Sequence, residues 1–348
     1  MGYLALNIKK YGPPDVALEL VEIPFEEPRN NEVVVSIDAV GMHIADGLAV
    51  RGEETLKPLA STPGFEGVGT IKKVGKKVSI LKEGDKVLLP MGTGSMRQEL
   101  KIKAQDLTKI KQPYAPDEQL SLITVNGFTA YFLLKDFVNL KKGDWLIQNA
   151  ANSNVGRYLI ALAKIHGIRT LNIVRRKEVM PELKKLGATK LIMDYELTES
   201  VCLKEILKKN ITLGIDAVAG EATESLAKSL ADKGLLINYG TVTKQPCHIT
   251  FWTLFKKDIK LCGMSTLNGF DKRTKKRVKE IHQELALLVN KKSLQTKIAA
   301  TYSLENYLSG PMNILISQAM KEMVRLYFYQ INKGINGKPR SNNYDCCL

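Results

Sequence analysis

Read as a pattern of apolar and polar positions, the chain falls into three blocks. Positions 32–40 alternate partly between apolar and polar residues, as a half-buried strand does. Positions 64–75 form strand material framed by glycines, which predicts bulges and a tightly curved sheet. Positions 81–88 are a turn feeding another strand. Residues 1–120 are therefore expected to close into a small β-barrel domain.

From about 121 to 262 the texture changes. Short apolar runs at 145–148, 170–174, 190–193, 214–218 and 235–239 alternate with helical periodicity, clearest at 155–166, where Leu159, Leu162 and Ala163 share one face. Strand–helix–strand alternation of this kind predicts a parallel sheet covered on both faces. Residues 263–348 hold two helical patterns and an irregular tail, and are expected to return to the first domain. The fold class is thus α/β, a β-barrel domain beside a doubly wound parallel sheet.

Chemistry concentrates in the turn after 145–148. It reads Asn149-Ala150-Ala151-Asn152-Ser153-Asn154-Val155-Gly156 and then enters a helix. Small residues between a strand and a helix N-terminus leave backbone N–H groups and the positive end of the helix free for a pyrophosphate. Only the last glycine of the dinucleotide fingerprint survives, and Asn154 stands where a glycine-like positive φ is expected. An ordinary strand–helix turn reads the same way. NAD-binding chains place an acidic group about 20 residues further on. Here Arg175, Arg176 and Lys177 end the next strand, which suits the 2′-phosphate of NADP(H); a solvated basic loop is the plainer alternative.

Composition narrows the field. The 348 residues are 44% hydrophobic and 25% charged, the texture of a folded globular chain of about two domains. No apolar run approaches the ~18 residues that span a bilayer, so no membrane partner is expected. Five cysteines, two of them in the tail, make no disulfide framework and point to a reducing compartment. No secretory signal, myristoylation site or prenylation box is visible. Cytoplasm is the default, or the mitochondrial matrix if a transit peptide has been removed. The net charge of +15 comes mostly from scattered lysines. Its densest cluster, 272–277, reads as the solvated face of a helix, and no nucleic-acid motif accompanies it.

These motifs resemble the medium-chain dehydrogenase/reductases, in particular the mitochondrial-type trans-2-enoyl-thioester reductases. The resemblance rests on 148–156 and 169–175, on Pro63-Gly64-Phe65-Glu66-Gly67-Val68-Gly69, on Val125-Asn126-Gly127-Phe128-Thr129-Ala130-Tyr131 and on Asn238-Tyr239-Gly240. Lys244-Gln245-Pro246 and 255–263 extend it, so that it spans roughly residues 1–310. It implies a GroES-like barrel domain, a Rossmann domain that binds NADPH, a homodimer, and reduction of an α,β-unsaturated acyl thioester carried by CoA or a carrier protein. By the same resemblance Asn126 contacts the nicotinamide half; Asn152, Ser153, Asn154 and Val155 hold the pyrophosphate; Arg175, Arg176 and Lys177 hold the 2′-phosphate; and Tyr239, Gly240, Thr241 and Val242 line the nicotinamide side.

Departures matter too. The superfamily's zinc members carry a Cys near Gly41-Met42 and a His at Phe65, and this chain has neither, so no metal is expected. His43 lies in the segment expected to face substrate. Where the family carries a proton-donating Tyr, Glu54 stands as a weak catalytic candidate, and Met264-Ser265-Thr266 replaces an aromatic pair. Two alternatives stay open: a zinc-independent quinone or alkenal reductase, and a catalytically degenerate NADPH-binding protein.

Overall fold

Valine and isoleucine at every second position of 33–37 put one face of an extended segment into a core, and in a computed structural model this segment is the hub of the first domain. The structure describes residues 2–53, 58–112, 114–307 and 326–329. Strands β1 (Gly2–Ile8) and β2 (Leu18–Pro24) form an antiparallel ribbon. β3 (Glu32–Met42) pairs antiparallel with both β4 (Val68–Val74) and β6 (Glu99–Lys103). β5 (Lys86–Leu88) pairs β4, and β7 (Thr108–Lys109) pairs β5. The register of β3 on β4 shifts twice, between Val34 and Val35 and between Ile37 and Ala39. Gly69 sits at this bulged stretch, where a Cβ would come within 2.5 Å of the Ser36 carbonyl, so glycine is required by close approach.

The second sheet contains β8 (Trp145–Gln148), β9 (Arg169–Val174), β10 (Lys190–Met193), β11 (Leu213–Asp216), β12 (Leu235–Asn238) and β13 (Lys260–Gly263). All are parallel, in the order β10-β9-β8-β11-β12-β13. Counting from β8, this is the 3-2-1-4-5-6 order of the Rossmann fold, whose switch point falls between β8 and β11. The helix Asn154–Ile165 packs its Leu159, Leu162 and Ala163 side chains fully into the core. Chain reversal then brings β14 (Ala300–Tyr302) and β15 (Leu326–Tyr329) onto the first sheet, β15 running antiparallel to β3.

The returning segment meets 111–119 through specific polar contacts. Gln119 and Thr296 exchange hydrogen bonds of 2.9 and 3.1 Å, and Asn290 bonds the backbone of Ala115 and Lys111. A π-helical turn, Ile123–Gly127, precedes the helix Phe128–Lys135; such turns are rare and cluster at functional sites. One expectation changes here. Within the basic run 272–277, Arg273 does not face water: it stacks on Phe132 at 4.8 Å and Phe128 at 5.5 Å and pairs with Asp136. Lys272 and the basic residues at the start of the helix Lys275–Asn290 are the exposed ones. None of the helices among the described residues is long and apolar enough to cross a membrane.

Candidate functional site

At the switch point the C-terminal ends of β8, β11 and β12 are tied together by one carboxylate. Asp216, fully buried, accepts hydrogen bonds from the Asn149 amide (2.6 Å), the Val218 and Ala219 N–H groups (2.9 and 3.1 Å), the Thr223 hydroxyl (2.7 Å) and the Asn238 amide (3.2 Å). The turn after β8 then enters its helix. Ser153 is the N-cap, its hydroxyl accepting the Gly156 N–H at 3.0 Å. A Cβ on Gly156 would lie 2.7 Å from the Ala151 carbonyl and 2.9 Å from that of Ala150, so this glycine lets helix and turn touch.

The left-handed residue of the turn is Ala150, at φ 45°, and not Asn154. Asn154 is the first helical residue, and its side-chain oxygen accepts the Thr296 hydroxyl at 2.8 Å. Ser153 already provides the cap, so the chain needs no glycine-like conformation at 154. Buried Arg157 fixes the turn from below: its Nε donates to the Asn152 carbonyl at 3.0 Å, and its fork grips Glu182.

A cavity of about 310 Å³ opens beside this turn. Asn152, Arg175, Arg176 and Val242 line it together with Asn149 and Asp194. Lys177 begins the next turn, exposed and outside the lining. The loop after β12 folds back over the switch point, with the Val242 N–H on the Ala217 carbonyl at 3.2 Å. Gly240 approaches the same carbonyl so closely that a Cβ would stand 3.1 Å from it, and Thr241 is exposed. Tyr239 is half-buried and hydrogen-bonded to the Ser153 hydroxyl; burial pushes its phenol up to about 12. Val155, second in the helix, packs against the hydrophobic core.

Asn126 lies across the seam, in the π-helical turn. Its amide donates to Glu66 Oε1 at 2.5 Å, and the Val125 N–H donates to Oε2 at 2.7 Å. Glu66 is wholly buried and close to buried Asp46, and desolvation lifts its carboxyl to about 8. On the barrel wall the helix Ile44–Arg51 runs from His43, whose ring packs on Phe65 at 5.5 Å, towards Glu53, which meets Lys244 of the other domain at 3.5 Å. Glu54 lies outside the described residues. Among the described residues no cluster of His, Cys, Asp and Glu could hold a metal ion. Asp216 and, beyond its place at the start of the turn, Asn149 shape the site without having been given that role in the sequence, as do Arg157, Asp194 and Glu66. A polar residue closing each apolar strand, as Asn149 and Asp216 do, is the signal that marks the first two.

Residues 29–112 match the alcohol dehydrogenase GroES-like domain and residues 154–286 the zinc-binding dehydrogenase domain. Mitochondrial enoyl-[acyl-carrier-protein] reductase of Dictyostelium discoideum is 32% identical over 84% of this chain and 86% of its own length. The Homo sapiens enzyme of the same name is 30% identical over 88% of this chain and 84% of its own. This chain belongs to the enoyl-thioester reductase family of the medium-chain dehydrogenase/reductases.

Solved structures agree on the fold. The mitochondrial 2-enoyl thioester reductase heterodimer of Candida tropicalis superposes with a TM-score of 0.86 at 22% identity, covering 94% of this chain and 100% of that one. Escherichia coli quinone oxidoreductase complexed with NADPH superposes at 0.79 and 21% identity, covering 94% and 99%.

Proposed function

We propose that the protein reduces the C=C bond of α,β-unsaturated acyl thioesters, of CoA or of a carrier protein, with NADPH. The observation that carries this reading is the cavity at the switch point, lined by both Arg175 and Arg176 beside a strand–turn–helix whose glycine admits no Cβ. When bound, NADPH supplies a hydride. The chain's own groups supply position and charge. Arg175 and Arg176 hold the 2′-phosphate, with Lys177 close behind; Asn152, Ser153, Asn154 and Val155 receive the pyrophosphate at the helix N-terminus, Ser153 through its side of the turn because its N–H is already bonded to the Ala150 carbonyl at 2.9 Å. Asn126, oriented by Glu66 of the barrel domain, fixes the nicotinamide, and Tyr239, Gly240, Thr241 and Val242 form the opposite wall. The barrel domain, residues 1–120 with the returning strands, provides the substrate side.

A homodimer completes the proposal. β13 is the edge of the parallel sheet, and the preceding helix Phe251–Lys257 leaves Phe251, Trp252 and Phe255 more than 60% exposed. An edge strand with no further partner among the described residues, beside an aromatic patch, fits a second copy of the same sheet. The relatives are named mitochondrial, which supports the matrix as the compartment.

Steady NADPH oxidation by crotonyl-CoA and longer enoyl-CoA thioesters tests the reading. Turnover of quinones but of no enoyl thioester would transfer the chain to the quinone reductases. Tight NADPH binding without turnover of either class would make it a nucleotide-binding protein.

A further inference from the structure

Asp194 is a carboxylate in a cavity whose other charges attract anions. It lines the same space of about 310 Å³ as Arg175 and Arg176, and of the described residues that line it only Asp194 carries a carboxylate. Its Oδ1 accepts the Tyr195 N–H at 2.9 Å and so caps the turn Tyr195–Thr198. Among the described residues Oδ2 has no hydrogen-bond partner and Asp194 no ion pair. The side chain is exposed, open to an atom of a ligand in the cavity. A carboxylate beside a phosphate-binding pair works against the phosphate, so its use lies with another part of the ligand.

The sheet says which part. Met193 pairs with Val174, and the Asp194 N–H donates to the Val174 carbonyl at 3.1 Å. Asp194 and Arg175 therefore leave neighbouring strand ends side by side. Outward from the switch point, β8 ends in the turn assigned to the pyrophosphate, β9 in the two arginines and β10 in Asp194. That row follows the covalent order of the nucleotide: phosphate, ribose with its 2′-phosphate, base. The 2′-phosphate and the adenine stand on adjacent carbons of one ribose, so arginines that take the first bring the second into the same cavity. Leu197 and Leu226, 4% and 0% exposed, line it there and offer an apolar surface to the face of a flat ring.

We propose that Asp194 is a specificity-determining residue that recognises the adenine of NADPH, its Oδ2 accepting a hydrogen bond from the 6-amino group. The proposal rests on the NADPH part of the reading above and holds whichever alkene is reduced. The 6-position of adenine is a donor. In hypoxanthine, the base with an oxo group in that place, it is an acceptor. A carboxylate has only acceptors to offer, so it suits the first base and opposes the second.

NADPH and its hypoxanthine analogue, reduced nicotinamide hypoxanthine dinucleotide phosphate, make the test. Titration followed by nicotinamide fluorescence reads both Kd values with no turnover. The parent should bind NADPH about tenfold more tightly than the analogue. Asp194→Asn keeps an oxygen for the Tyr195 N–H and presents an N–H₂ group to the base. It should bring the two Kd values within about twofold of each other, chiefly by strengthening the analogue. Asp194→Ala, which offers the base neither donor nor acceptor, should level them too. Both variants also remove a negative charge near the 2′-phosphate, but the two nucleotides share that phosphate, so the ratio of their Kd values cancels the effect. A parent that binds the two nucleotides equally, or a preference that survives in both variants, overturns the role of Asp194 and leaves the NADPH reading standing. A parent that binds neither nucleotide overturns that reading and the proposal with it.

Discussion

Asn149 and Asp216 hold each other across the switch point, the amide of one on the carboxylate of the other at 2.6 Å, while the Asn149 oxygen takes the Ala217 N–H at 2.8 Å. The pair joins β8 to β11 at the place where a dinucleotide crosses the sheet. All five donors around Asp216 point at a carboxylate that has no water to fall back on. Asp216→Asn preserves the shape but turns an amide N–H₂ towards donors. It should cost about 2–4 kcal/mol in equilibrium urea unfolding, against about 1–2 kcal/mol for Asn149→Ala. An unchanged midpoint for Asp216→Asn would show that the network is not what joins the strands.

Cofactor choice is expected to follow the two arginines. Both line the cavity at the end of β9, where an acidic residue would serve a free ribose. Replacing Arg175 and Arg176 together by Ala should raise the Kd for NADPH by about 10–100-fold, roughly 1.4–2.8 kcal/mol, and leave that for NADH nearly unchanged. Nucleotide fluorescence titration reads both constants. Equal weakening of the two nucleotides would move the 2′-phosphate elsewhere.

Much of this site was legible in the chain, and the limits have physical causes. Short apolar runs located five of the six strands of the parallel sheet, because their faces are buried; β13, an edge strand that is largely exposed, carries no such run and was missed. Arg175 and Arg176 drew notice because basic residues stand where an NAD-binding chain places an acidic one, and both line the cavity. Asn154 misled: residue type alone cannot distinguish a left-handed turn from a helix start, and here Ser153 had already taken the cap. Arg157 was invisible because a helical arginine ordinarily faces water, and only the tertiary fold places Glu182 and the Asn152 carbonyl around it. Glu66 and Asn126 are 60 residues apart, a pairing no local pattern reports.

Gly156 should be intolerant for a different reason from a turn glycine. It is helical, and the obstacle is the carbonyl wall 2.7–2.9 Å from where a Cβ would stand. In an open helix Gly→Ala stabilises by about 1 kcal/mol. Here the helix must retreat from the turn, so Gly156→Ala should weaken NADPH by at least about tenfold while leaving the fold populated. Isothermal titration alongside a thermal melt distinguishes this from plain unfolding.

Two buried groups give stability opposite slopes with pH. Desolvation lifts Glu66 from its ordinary 4.5 to about 8, with Asp46 adding to the effect, and lowers His282 from 6.5 to about 4. Between about pH 4.5 and 8 the folded chain keeps a Glu66 proton that the unfolded chain releases, so stability falls as pH rises. Between about 4 and 6.5 the unfolded chain binds a His282 proton that the folded chain refuses, so stability falls as pH drops. The two slopes oppose each other where the windows overlap. Above 6.5 only the Glu66 slope remains, at most about 1.4 kcal/mol per pH unit. Glu66→Gln should flatten urea midpoints between pH 6.5 and 8, and His282→Phe should expose the Glu66 slope between 4.5 and 6.5. A parent midpoint that is level from 6.5 to 8 would mean that Glu66 is ionised in the folded chain.

The aromatic helix offers the last test, because its presentation is controlled from a distance. Glu224, buried, accepts the Thr250 N–H at 3.0 Å and the hydroxyls of Thr250 and Thr253 at 2.9 and 2.7 Å, and Thr250 caps the helix that carries Phe251, Trp252 and Phe255. The three rings pack on one another at 5.2–6.2 Å and turn outward as a unit. Aromatic anchors of this kind dominate interface energies. Phe255→Lys should therefore shift the protein from dimer to monomer in sedimentation velocity, with little loss of monomer stability, since the side chain is already in water. Glu224→Ala should weaken the dimer as well, by loosening the Thr250 cap that the carboxylate holds, and should also lower thermal stability because three donors lose their acceptor. A sedimentation coefficient unchanged in Phe255→Lys would leave the patch without a partner copy.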